Sequence, residues 1–124
     1  MAKSVIREKS FFFALEIIDL FKKLQAEHEY ILSRQLLRSG TSIGANVEEA
    51  LAGQSRKDFL AKMAVASKEA RETRYWLALL QQSNMTKAEL NPVVQNIDEL
   101  IRILTSIVKT TAETPAIQNS KHKT

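Results

Sequence analysis

Apolar residues recur at steps of three and four along almost the whole chain. That is the period of helices that bury one side and wet the other. Ile6, Phe13, Ile17, Leu20 and Leu24 mark one stripe, which predicts a first helix from about Ser4 to Glu27. Phe11, Leu15 and Ile18 form a second stripe beside it. A bundle needs one stripe per helix, so the added width predicts a surface that another subunit covers. Deep burial of this helix within a single chain is the other reading. A polar, aromatic turn follows around Glu27 to Leu32.

Ser33 has the chemistry of an N-cap for a second helix, whose core face reads Leu36, Ile43, Val47 and Ala50. Gly40 and Gly44 lie four apart on one face of it. Each costs about 1 kcal/mol against alanine in a helix interior, so a close neighbouring helix is the expected return. Gly53 suits a left-handed position that ends the helix. Ser55 and Asp58 pair as a capping box for a third helix, with Phe59, Met63, Ala66, Ala70, Leu77 and Leu80 inward and Ser83-Asn84 at its end. Thr86 and Glu89 repeat the capping pattern before a fourth helix with Val94, Ile97, Ile101, Leu104 and Val108 inward. Pro92 predicts either a kink there or a first turn that starts at Asn91.

The chain has two prolines and three glycines and no Asn-Gly or Asp-Gly turn between alternating runs, which excludes hairpins. The fold expected is all-α, an up-down-up-down antiparallel four-helix bundle over residues 1–112. Residues 113–124 carry no pattern and read as a disordered tail.

Charge changes this picture by where it sits. The formal net charge is +4. Residues 55–84 hold six basic against three acidic residues, while residues 1–30, 31–54 and 85–112 each balance. The six are Arg56, Lys57, Lys62, Lys68, Arg71 and Arg74. They form either a solvated helix face or a patch that meets phosphate, RNA or DNA. Tyr75, Trp76 and Phe59 interleave with them, as core residues or as a stacking surface for single strands, and helical spacing favours core.

The residues offer little chemistry. The absence of cysteine removes disulfides and thiolate ligands. His28 sits in a turn and His122 in the tail, so no metal or other cofactor is expected. Gly40 to Gly44 lacks the lysine and the preceding strand of a phosphate loop. No stretch approaches the roughly 20 apolar residues of a membrane span, and no signal peptide is legible. The expected location is therefore cytoplasmic. Arg38, Asn46 and Glu49 suggest a polar network, with Arg71 as a further partner. Catalysis through Glu49 and Asn46 would need a nucleophile or base with a partner, and none is apparent.

The string QLLRSGTSIGANVEE at residues 35–49, followed by Ser55, Asp58, Phe59 and Glu69, resembles a bacterial four-helix-bundle family. It is named for proteins encoded in intervening sequences of 23S ribosomal RNA genes. The likeness spans about residues 6 to 110. It departs at Ala50, where the family usually has glycine. The resemblance implies a homo-oligomer, a pentameric ring with a central channel. Relatives that accompany diversity-generating retroelements are accessory proteins, and they bind nucleic acid and a reverse transcriptase through a basic surface. The expectation is a non-enzymatic accessory or scaffold protein that binds RNA or DNA. The alternative is a protein-interaction adaptor that binds no nucleic acid.

Overall fold

The computed structural model describes residues 2–113. The expected tail of residues 113–124 starts one residue early, because Glu113 is still helical; residues 114–124, with His122, lie outside the described residues. Those described form four helices and no strand: α1 (Ala2–Ala26), α2 (Ile31–Leu51), α3 (Arg56–Ser83) and α4 (Asn91–Glu113). Cross-helix pairs fix their directions. Arg7 meets Glu48 and Gln25 meets Ser33 between α1 and α2. Arg38 meets Glu72 and Lys62 meets Glu49 between α2 and α3. Arg71 meets Thr105 and Arg74 meets Asp98 between α3 and α4. Lys9 meets Glu99 and Glu16 meets Asn96 between α1 and α4. In every set, rising numbers on one helix face falling numbers on the other, so all four neighbours are antiparallel. Each helix lies beside two others, and among the described residues the Cα atoms of the diagonal pairs stay more than 8 Å apart.

The α1 stripe from Ile6 to Leu24 is buried as its spacing predicts, and so are Leu36, Ile43, Val47 and Ala50 of α2. Close approach of these two helices is what the glycines allow. A Cβ on Gly40 would stand 2.9 Å from both γ carbons of Ile17, and one on Gly44 would stand 3.3 Å from the Ser10 carbonyl oxygen. Gly53 differs from expectation: the described glycines have no positive φ, and α2 ends on Ala52 in a right-handed conformation. A Cβ on Gly53 would sit 3.1 Å from the Ala50 carbonyl oxygen and 3.3 Å from Asp58 Cβ, so the tight α2–α3 corner is its reason. Left-handed backbone occurs instead at His28 and Asn84, the latter ending α3 where the sequence places the stop.

The helix starts divide. Ser55 caps α3, accepting the Asp58 N–H at 3.0 Å. Ser33 does not cap α2. Glu29 does so with a carboxylate that accepts the N–H groups of Ile31, Leu32 and Ser33 at 3.1, 3.0 and 2.7 Å. Ser33 lies buried inside the first turn and donates to the Glu29 carbonyl oxygen at 2.8 Å. A carboxylate with several lone pairs facing three unpaired donors and the positive end of the helix outcompetes one hydroxyl. Glu29→Ala is expected to cost about 1–2 kcal/mol, read as a lower urea midpoint, with Glu29→Gln recovering part of it.

The Thr86–Glu89 box does not form, because residues 84–90 are a connection. Thr86 accepts from the Ala88 N–H, and Glu89 accepts from the Asn91 N–H. Pro92 falls in the first turn of α4, where its missing N–H costs nothing. The inner face of α4 is rotated from expectation: Val93, Ile97, Leu100 and Leu104 are buried, while Val94, Ile101 and Val108 are half-buried.

Glu27 ties this connection to the end of α1. The Thr86 hydroxyl donates to it at 2.5 Å and the Lys87 N–H at 3.0 Å. Chiefly the hydroxyl, then the N–H, holds this carboxyl below its ordinary pKa. A lowered carboxylate pKa adds stability above the ordinary value and loses it as pH falls through the folded-state value. The wild-type melting temperature should therefore fall more than that of Glu27→Gln on acidification from about pH 5 to about pH 3.

Candidate nucleic-acid interface

The six basic residues of α3 do not share one face. Lys62 points to α2, where Glu49 accepts from its Nζ at 2.8 Å. That hydrogen bond, with the opposite charge, raises the Lys62 pKa. Arg74 points to α4 and donates to Asp98 at 2.5 Å. Arg71 donates to the Thr105 hydroxyl at 3.0 Å, a neutral partner that leaves its charge in place. Arg56 is half-buried at the α2–α3 corner, and its Nη2 has no hydrogen-bond partner among the described residues. Lys57 and Lys68, eleven residues or about three turns apart, are exposed on the outward side.

Packing adds cations that counting by segment had hidden. Arg102 of α4 joins Arg71, Arg74, Asp98 and Ile101 around an open hollow of about 490 Å³ between α3 and α4. Lys109 follows Arg102 by two turns on the same side of α4 and is exposed. The Arg71–Thr105 bond sets the register and puts Lys109 level with the Lys68 turn. The seam thus gathers Lys68, Arg71, Arg74, Arg102 and Lys109 with the Asp98 carboxylate among them. The acids of α3 go to its other flank, where Glu69 and Glu72 hold Arg38 of α2. Between Glu69 and Arg74, α3 is basic toward α4, through Arg71 and Arg74, and acidic toward α2, through Glu69 and Glu72.

Arg38, Asn46 and Glu49 do not form one network. Arg38 bridges Glu69 at 3.3 Å and also pairs with Glu72. Glu72 accepts the Trp76 indole N–H at 3.1 Å. Asn46 bonds back within α2 to the Ser42 carbonyl and hydroxyl oxygens at 2.8 and 3.1 Å. Glu49 belongs to Lys62, and Arg71 faces the opposite flank. Among the aromatic residues, Phe59 and Trp76 lean on the core, but Tyr75 is 57% exposed.

Residues 2–106 match the family described as 23S rRNA-intervening sequence protein. The chain belongs to that family. A solved structure from Bacteroides thetaiotaomicron, a protein of unknown function from the S23 ribosomal protein family, is similar at 43% identity. Its TM-score is 0.82, over 88% of this chain and 99% of that one. Among curated proteins none matches. The family resemblance read from residues 35–49 therefore holds over nearly the whole bundle. No helix among the described residues is long and apolar enough to cross a membrane.

One further surface stands out on this family member. Phe11, Phe12 and Leu15 of α1 are 57%, 60% and 47% exposed, and Ile18 beside them is half-buried. Of the charges at this face, Arg7 pairs with Glu48 of α2 and Lys9 with Glu99 of α4, while Glu8 lines the hollow beside Phe11 and Phe12. The largest exposed side chains of this face are apolar, whereas those around the α3–α4 hollow are mostly cationic.

Proposed function

We propose that this protein is a non-enzymatic, self-associating helical bundle that binds RNA or DNA through the α3–α4 seam, as an accessory or scaffold component. The observation that carries the reading is the convergence of Arg71, Arg74 and Arg102 on one open hollow, with Lys68 and Lys109 extending it. Cations held on two rigid helices position a phosphate backbone and read no base edges. The apolar α1 face is where copies meet, building the pentameric ring. Each added copy repeats the seam and multiplies a modest local affinity. The engagement of Glu49 by Lys62 and of Asn46 by its own helix supports a role without turnover.

The test is charge reversal. Arg71→Glu and Arg102→Glu should each weaken binding of a labelled RNA strand roughly tenfold and lower the slope against log salt by about 1. Arg34→Glu, on the outer side of α2, should change neither. If all three variants bind like wild type, the seam is not the interface. Absence of any binding at low salt, with a protein partner retained after nuclease treatment, would favour the adaptor instead.

A further inference from the structure

We infer that the seam prefers single-stranded to duplex nucleic acid, because Tyr75 offers a fixed ring on which an unpaired base stacks; this rests on the nucleic-acid reading above. Tyr75 follows Arg71 by one turn and Lys68 by two, so the three lie along one side of α3. Its ring is largely in solvent and has one aromatic neighbour. It meets Trp76 edge-to-face, with centroids 5.2 Å apart at 65°. Trp76 is anchored by its N–H bond to Glu72, and Glu72 is held by Arg38 of the next helix. Fixing a ring before the ligand arrives lowers the ordering cost of binding. Leu79, one turn on and also exposed, continues the platform.

An exposed ring among cations has a chemical counterpart in a single strand, which supplies phosphates and bare base faces together. A duplex supplies the phosphates alone, since its base faces are stacked inside. A second copy of this chain fits the spot poorly. The cations beside Tyr75 would lose water on meeting one another's like charge, and the α1 face, with Phe11, Phe12 and Leu15 exposed, is the better place for a copy.

The test uses the full chain and a labelled mixed-sequence RNA strand of about 16 nucleotides, alone and annealed to its complement. The strand should bind more tightly than the duplex. Tyr75→Ala should weaken strand binding roughly tenfold and leave duplex binding unchanged, Tyr75→Phe should keep wild-type affinity, and Tyr75→Leu should behave like Tyr75→Ala. Trp76 is the one tryptophan in the chain and touches Tyr75, so its fluorescence should change with the strand and not with the duplex. Equal strand and duplex affinities, or a Tyr75→Ala variant that binds the strand normally, would overturn the preference and leave the seam standing. Loss of mass in solution by Tyr75→Ala would assign the ring to contact between copies. Failure of both probes to bind at low salt would remove the seam reading and this inference with it.

Discussion

Gly40→Ala is expected to destabilise the fold by about 1–3 kcal/mol, although alanine is the better helix former by about 1 kcal/mol. The two effects oppose each other, and geometry decides between them. The new methyl would stand 2.9 Å from both γ carbons of Ile17, a side chain with no exposed surface. Because Ile17 sits in the buried cluster, α1 and α2 must part or Ile17 must leave its rotamer. Urea denaturation reads the loss. Ile17→Ala should cost about 2–5 kcal/mol alone and less in the presence of Gly40→Ala, because the added methyl then has room. An additive double variant would show that the close approach is not the source of the cost.

Leu15→Glu is expected to turn the assembled protein into single chains without unfolding it. Leu15 lies one turn on from Phe11 and Phe12 on the same side of α1, and nearly half of it is already in water. A carboxylate therefore adds little strain to the lone bundle. In an interface between copies it would bury an unpaired charge, and central apolar positions of this kind cost about 2 kcal/mol or more when lost, roughly 30-fold in association. Light scattering should show one 14.0 kDa chain for the variant and a multiple of it for wild type, with the same helical circular dichroism. Wild type at one chain's mass would end the proposal that α1 joins copies.

The fold was legible because helix period and burial are the same signal on α1 and α2, where one stripe is clearly the richest. On α4 they separate. Val93 and Val94, like Leu100 and Ile101, are adjacent apolar pairs, and only packing against α1 and α3 decides which member goes innermost. The α2 cap was hidden for a related reason. Serine is the usual cap, and nothing local announces that Glu29 will turn back over three N–H groups. The basic seam was half legible. Its α3 members stood out as a charge excess, but Arg102 and Lys109, with Lys87, balanced Glu89, Asp98 and Glu99 along the chain. Folding sorts them by face: Glu89 goes to the α4 start and Glu99 to Lys9 on α1. Tyr75 and Trp76 are neighbours of similar character, and only folding shows that Trp76 leans on the core while Tyr75 stands in solvent.

Lysine footprinting of the assembled protein with and without an RNA strand tests the central claim most directly, since it reports where the nucleic acid lies. The expected result is protection of Lys68 and Lys109 from acetylation, with Lys22 and Lys87 as reactive as in the free protein. Protection of Lys22 or Lys87 while Lys68 and Lys109 stay open would contradict it.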